Sequence, residues 1–474
     1  MPLKVLLIST NREKSPFAVA PIGAAKVLAA LQAAGYEADL LDLCFTRNME
    51  NAVKKRIQAF RPDLVGLSIR NLDNCAYIEP QGYFETDARV VRAVKKYSQA
   101  PIMIGGSGVS VAPKELADYL GVDYAFVGEG EKSLPAFLTA FENHQPFDGI
   151  PGLFFRNGFG WRGSSPDFAA RMDELPFASH AAIDYKKYFA RGGFLPVQTK
   201  RGCPFRCVYC SYGALEGRQP RLASPGRSVE EMARMVRDTG RSDFFFVDGV
   251  FNYPADHAAA ICEEIVRRGL DIRWLAYCNP LGLDREMAGL FKAAGCAGIE
   301  LGLDAAIGKM LQNLKKGFGQ QEIRATYEAL QTAGIPFAVF LLFGGPGETL
   351  EDWQETQKFL NDCGKANAVF ASMGLRIYDH TPLFDIALKE GVIDPDAPLL
   401  APRFYLSEHL PAASAARRLD ELARREPTWS SPLDWNCLTV QFIQWLLAKF
   451  RVIPCWRDIE NYGAHMRRRH RNSF

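Results

Sequence analysis

The chain is written as short apolar runs alternating with helix-patterned stretches, and the alternation occurs twice. In the first half, "KVLLI" (4–8), "EADLL" (37–41), "LVGLSI" (64–69), "PIMIGG" (101–106) and "DYAFVGEGE" (123–131) read as strands. Between them, "PIGAAKVLAALQAAG" (21–35), "MENAVKKRIQAF" (49–60) and "ETDARVVRAVKKYS" (85–98) read as helices, with Pro21 suited to a first turn and Gly35 to a stop. Strands separated by helices pair in parallel through right-handed crossovers, so a doubly wound α/β sheet is expected over residues 1–145. The pattern resumes with "LPVQT" (195–199), "DFFFV" (243–247), "IRWLAY" (272–277), "AGIEL" (297–301), "IPFAVFLLF" (335–343) and "VFASMGLRI" (369–377), with helices at 228–240, 255–269, 284–294 and 320–333. That makes six βα units over 191–395.

Residues 146–190, including "NGFGWRGSSPD" (157–167) and "LPFASH", read as a hairpin or linker. Residues 396–474 read as a mainly helical segment carrying Trp429, Trp435, Trp445 and Trp456, with a helix at 436–450 and a solvated basic tail, "HMRRRHRNSF". A length of 474 residues suits two or three domains of roughly 100–200 residues. The net charge of +2 and the lack of a basic accessory domain argue against nucleic acid and against an anionic membrane surface. No apolar run approaches the roughly 18 residues of a membrane-spanning helix. "MPLKVLLIST" is too quickly polar for a signal peptide, so a cytoplasmic location is expected.

In open parallel sheets, ligands bind beyond the carboxyl ends of the strands. Here those loops are "STNREKSPFAVAP", "SIRNLDN", "GGSG" and "GEGE". Tight turns alone explain any one of them; all at one sheet edge, they favour a ligand. No G-x-G-x-x-G follows the first strand, which weighs against a dinucleotide.

Eleven cysteines, an odd number, are scattered apart from one group, Cys203, Cys207 and Cys210 in "RGCPFRCVYCSYG". A disulfide framework does not suit such a chain, and the lone cysteines read as small buried hydrophobes. Structural zinc wants four ligands, often as two C-x2-C pairs, and the next cysteine, Cys262, has no paired partner. The trio reads instead as the ligand set of an iron–sulfur cluster, and a [4Fe–4S] cluster on three thiolates leaves one iron open.

C-x3-C-x2-C with an aromatic residue before the last cysteine, Tyr209, resembles the signature of radical S-adenosylmethionine (SAM) enzymes. The first module resembles the cobalamin-binding domain fused to one branch of them, the cobalamin-dependent radical SAM enzymes of methyltransferase type. "GLS" at 66–68, "GG" at 105–106, "GEGE" and the 21–35 helix carry that likeness, which reaches over roughly residues 1–395. It implies a partial (β/α)6 barrel, cobalamin, SAM and a [4Fe–4S] cluster. It also implies cobalamin contacts at Pro21, Ser68, Arg70, Asn71, Gly105, Gly106, Ser107, Gly128 and Glu129. The family's D-x-H-x-x-G, whose histidine ligates cobalt from below, is absent. Cobalt without a histidine lower ligand is therefore expected, with Arg70 or Asn71 facing that side. A guanidinium cannot ligate but can keep a ligand out, and a loop-ordering hydrogen bond is the other reading of Arg70. For SAM the resemblance implies Tyr209 along the adenine, the carbonyls of "FVDGVFN" and Asp248 at the amino group with Asn252 near, Asn279 at a strand end, and Glu300 in "GIELGLDAA" at the ribose. Asp304 there replaces a glutamate of the family. "LFGGPGETLED" and "RIYDHTPLFDIA" resemble its last two strand ends. Cys278 reads as packing. The activity implied is methylation of an unactivated carbon of a small-molecule or natural-product intermediate. Cobalamin takes a methyl group from one SAM, a second SAM is cleaved to a 5′-deoxyadenosyl radical, and the substrate radical captures the methyl. A reductase or ferredoxin-type donor would supply electrons. The alternative is cyclisation, rearrangement or oxidation with the same cofactors. A non-catalytic cobalamin sensor has no use for an open iron.

Overall fold

The computed structural model describes residues 2–158, 160–168, 171–398, 400–431, 443, 446–447 and 449–460. The first module is built on β1 (Lys4–Ser9), β2 (Glu37–Asp42), β3 (Leu64–Ser68), β4 (Ile102–Gly105) and β5 (Tyr124–Phe126), all parallel, in the order 2-1-3-4-5. Val5, Leu6 and Ile8 have no exposed surface, because helices cover both faces and a parallel strand must be apolar on both. The helices are α1 (Ile22–Ala33), α2 (Met49–Phe60), α3 (Phe84–Tyr97), α4 (Ser107–Val111), α5 (Pro113–Leu120) and α6 (Gly130–Glu142). Pro21 is the N-cap of α1 rather than a residue of its first turn. With β2 and β3 on opposite sides of β1, the chain reverses winding direction there, and a crevice opens at the carboxyl ends of β1 and β3. The segment expected as a hairpin or linker is a hairpin, β6 (Leu153–Arg156) and β7 (Trp161–Gly163). It extends the first sheet antiparallel to β5, so strand pairing continues past residue 145.

The second module holds β8 (Leu195–Val197), β9 (Lys200–Arg201), β10 (Arg221–Leu222), β11 (Asp243–Phe246), β12 (Arg273–Cys278), β13 (Cys296–Asp304), β14 (Phe337–Phe343), β15 (Ala368–Met373), β16 (Leu375–Arg376), β17 (Phe404–Tyr405) and β18 (Trp429–Ser430). The main sheet is parallel in the order 8-11-12-13-14-15-18 and does not close on itself. Six of its strands are those expected. The seventh, β18, lies in the segment read as helical, whose helix is Ala412–Arg425. Alternation sorts the side chains. Phe244, Phe246, Trp274, Ile299 and Leu301 face the outer helices. Phe245, Leu275, Ala338 and Ala368 face inward, where Trp456 and Ile459 meet them from the C-terminal segment and Phe17 from the loop after β1. A Cβ on Gly298 would lie 2.9 Å from Pro454, so glycine there admits the C-terminal plug. Trp435, Trp445, the basic tail and most of the helix expected at 436–450 lie outside the described residues.

Buried polar contacts join the modules. Arg201 pairs with Glu129 and Glu131, Arg376 with Asp73 at 2.9 Å, and the Tyr188 hydroxyl donates to Asp42 at 2.6 Å.

Candidate active site

The crevice at β1 and β3 is one wall of a cavity of about 550 Å³. All nine residues expected at cobalamin line it: Pro21, Ser68, Arg70, Asn71, Gly105, Gly106, Ser107, Gly128 and Glu129. Leu7, Gly66, Met103, Ile104, Phe126 and Leu134 form its apolar depth. Gly106, at φ 104°, lets the chain turn where a Cβ would lie 2.6 Å from the Ile69 carbonyl oxygen. Gly23 faces the cavity with nothing within 4 Å of a built Cβ, space that a ligand can take. The walls therefore suit a large, mostly apolar group. No histidine lines the cavity among the described residues. The Ser107 hydroxyl donates to the Arg70 carbonyl at 2.6 Å, leaving the exposed guanidinium to the cavity. The Glu129 carboxylate is engaged by Arg201 and Arg221, so only its remaining edge faces the ligand space.

The far wall is the cluster loop. Ser211 and Tyr212, directly after Cys210, line the same cavity with Val247 at the end of β11 and Tyr378. A Cβ on Gly249 would lie 2.8 Å from the Tyr212 ring, which accounts for the glycine of "FVDGVFN". The loop is pinned by Cys203 N to Gly217 O at 3.0 Å, Val208 N to Leu314 O at 3.1 Å and Cys210 N to Cys207 O at 3.2 Å. All three thiols are half-buried, and burial raises each above its ordinary range, Cys210 to about 12. Among the described residues, no three Cys, His, Asp or Glu side chains converge on one ion position. A multi-iron cluster takes one thiolate per iron, so the trio suits a cluster better than a single ion, and bound iron would deprotonate thiols that burial holds neutral.

The residues expected at SAM divide. Tyr209 lies in the cluster loop, with its hydroxyl donating to Asp304. Asp248 is 0% exposed, and its carboxylate accepts from Thr199 N at 2.7 Å, Thr199 Oγ1 at 2.6 Å and Lys200 N at 3.1 Å. Three donors at the exit of β8 thus meet its two oxygens, so the side chain braces that strand end. Asn252, equally buried, donates to the carbonyls of Asn279 and Leu281 and accepts from Asn279 N. Its side chain is likewise a strut between strand ends, and Asn279 Oδ1 takes Leu281 N at 3.0 Å. The backbone carbonyls of "FVDGVFN" and the side-chain amide nitrogen of Asn279 remain for a ligand. Glu300 points into the barrel, where the Trp456 indole donates to Oε1 at 3.0 Å and the Tyr277 hydroxyl also bonds it. Burial pushes Glu300 up to about 7, against the pull of those two bonds. Beside it Tyr277 keeps 43% of its surface accessible, although the position is deep in the barrel, so it faces a lumen. Cys278 is buried in the core, as a packing role requires.

Sequence reasoning missed Lys316, Arg201, Asp73, Arg376 and Glu348. Glu348 accepts from Gly344 N and Gly345 N and is pushed up to about 7 by burial, holding the loop after β14. Arg201 had a local signal, a charged residue inside an otherwise buried strand end. Asp73 and Arg376 had none, being 303 residues apart.

Known proteins share this arrangement. Residues 8–138 match the B12 binding domain family and residues 197–360 the radical SAM superfamily. The tryptophan 2-C-methyltransferase of Streptomyces laurentii is 29% identical over 443 residues, covering 80% of this chain and 73% of that protein. The hopanoid C-3 methylase of Methylococcus capsulatus is 28% identical over 335 residues, 68% of this chain and 60% of that one. The radical SAM methyltransferase structure from Kitasatospora setae, with cobalamin and a [4Fe–4S] cluster bound, superposes with a TM-score of 0.85 at 24% identity. It covers 99% of this chain and 100% of that one, and so shares the fold throughout. With a B12 binding domain whose cavity ends on the three-cysteine loop of a radical SAM core, the chain belongs to the cobalamin-dependent radical SAM family.

Proposed function

We propose that the chain is a C-methyltransferase that uses cobalamin, SAM and a [4Fe–4S] cluster on Cys203, Cys207 and Cys210 to methylate a carbon of a small-molecule substrate. The observation that carries this reading is the single cavity shared by the β1/β3 crevice and the residues directly after Cys210. Bound there, cobalamin would supply a transferable methyl group and the cluster with SAM a means of opening an inert carbon. The residues present do the rest. Gly66, Gly105 and Gly106 would leave room for cobalamin's buried tail, and Arg70 and Asn71 line the same cavity as Tyr212 and Val247. Among the described residues no imidazole lines the cavity, so none of them would offer cobalt a histidine ligand. Glu300 can hold or accept a proton at its carboxyl near neutral pH. The C-terminal plug, through Trp456, keeps bulk water from the barrel floor.

The lumen wall is aromatic, with Phe245, Tyr277, Phe340 and Phe370 on inward positions. A flat, largely apolar substrate suits it, so tryptophan and other indoles are the first to try. A ferredoxin-type reductant is the electron source this chemistry requires. Cys44, Cys75, Cys203, Cys207, Cys210, Cys262, Cys278, Cys296 and Cys363 are free, which supports a reducing, cytoplasmic setting. Among the described residues no helix is long and apolar enough to cross a membrane.

The test is anaerobic turnover with methyl-labelled SAM. Label on a product carbon supports methylation. Deoxyadenosine formed without label in product moves the reading to cyclisation or oxidation.

A further inference from the structure

Strand β13 ends on Asp304, a non-glycine residue in the left-handed region at φ 60°. It is reached through a register break between Gly302 and Asp304. The break turns its carboxylate onto the cluster loop. There it accepts from the hydroxyl of Tyr209, which lies between Cys207 and Cys210, and from Lys316 Nζ. Lys316 arrives on a turn with left-handed residues on either side, Lys315 at φ 53° and Gly317 at φ 76°. It is only 6% exposed, with Nζ 5.9 Å from the Tyr209 ring centroid and 5.7 Å from that of Phe318. Tyr209 stands between Cys207 and Cys210, so the ammonium sits against the cluster loop. Burying an ammonium costs several kcal/mol even when it is paired. An exposed Lys–Asp pair would close the same turn without that cost, so the buried position calls for a second use, and it lies over the ring of the residue between two cluster cysteines.

We propose that Lys316 is a fixed positive countercharge for the iron–sulfur cluster, favouring the reduced state, with Asp304 and Tyr209 as the clamp that holds it on the cluster loop. The proposal rests on reading the cysteine trio as a cluster site. Reduction adds one electron from the ferredoxin-type donor, makes or breaks no bond, and leaves the cluster one charge more negative. A cation fixed on the low-dielectric loop that carries the ligands stabilises that form more than the oxidised one. Asp304, at the end of β13, places an opposing negative charge beside it. Lys316 is therefore a positioning and electrostatic residue that need not touch substrate.

The experiment is a redox titration of the reconstituted full-length protein without SAM or substrate, followed by electron paramagnetic resonance of the reduced cluster. At the potential where the wild type is half reduced, K316M should lower the reduced-to-oxidised ratio about tenfold, equivalent to 59 mV for one electron. K316R should keep the wild-type ratio and D304N should raise it. A merely structural lysine would not produce opposite shifts from K316M and D304N. A K316M protein with full iron content and a ratio within threefold of wild type overturns the proposal. If K316M holds no cluster, comparing K316M/D304N with D304N isolates the lysine. A fall in the ratio supports the countercharge, and equality overturns it. Failure of the wild type itself to take up a [4Fe–4S] cluster would instead remove the underlying cluster reading.

Discussion

Glu300→Gln should make the protein's stability less dependent on pH, in a direction the structure sets. The Glu300 carboxyl sits in the barrel against Trp456 and Tyr277, and burial moves it from 4.5 to about 7. A carboxyl raised on folding binds its proton more tightly in the native state. Its contribution is whole below pH 4.5 and is lost as pH rises through about 7. Full ionisation then costs the folded chain about 3 kcal/mol. Glutamine keeps an oxygen for the Trp456 indole and never ionises. Between pH 5 and pH 8, wild type should therefore lose roughly 2–3 kcal/mol that Glu300→Gln retains. The measurement is denaturant unfolding followed by tryptophan fluorescence at several pH values, read as the difference between the two proteins. Asp87 and Glu348, also pushed up to about 7 by burial, contribute to both proteins and cancel. Parallel pH curves would refute the reasoning, because they would mean that Glu300 is solvated or already ionised in the fold.

Gly106→Ala puts a Cβ 2.6 Å from the Ile69 oxygen at φ 104°, so it should cost about 1–3 kcal/mol and at least tenfold in cobalamin affinity, read by visible absorbance retained through gel filtration. Arg376→Met strands the buried Asp73 carboxylate and should destabilise by about 3–5 kcal/mol in denaturant melts, whereas Arg376→Met with Asp73→Asn should recover much of that loss. Protein loaded with cob(II)alamin should show no nitrogen splitting from a lower ligand in its paramagnetic resonance spectrum, since no histidine lines the cavity among the described residues; such splitting would contradict the assigned site.

What the sequence made legible was local. Buried parallel strands must be apolar on both faces, so β1, β3 and β11 to β15 stand out, and the carboxyl-end loops follow from them. The three cysteines lie within eight residues, and spacing alone separates them from zinc ligands. What was not legible depends on distant chain segments. Asp248 has the residue type and place of a ligand contact, yet it also braces the exit of β8, because Thr199 passes within 2.6 Å. Glu300 meets an indole 156 positions later. β18 is two residues long, too short to carry a period, and pairs with β15 where the amphipathic helix Ala412–Arg425 packs. Lys316 looks like any basic turn residue until two left-handed dihedrals turn it inward.

The buried charges at the junction have a geometric consequence that an apolar interface would lack. Glu129 and Glu131 belong to the loop and first turn of α6, at the edge of the cavity. Arg201, which they bind, is followed directly by Gly202 and Cys203. The same Glu129 also binds Arg221 on β10, the strand paired to Arg201 on β9. One ion-pair cluster thus ties the cavity wall to both strands at the root of the cluster loop. Apolar side chains would bury as well and cost less to desolvate, but they tolerate sliding that guanidinium–carboxylate pairs do not. Two reactive centres carried on separate modules work together only if their spacing is set to within a fraction of an ångström, because misplacement by about 1 Å can cost a hundredfold in rate. Rigid, directional contacts at the point where one module's pocket meets the other's loop are what that requirement demands. A second buried pair, Asp73 with Arg376, fixes the opposite rim, beside Tyr378.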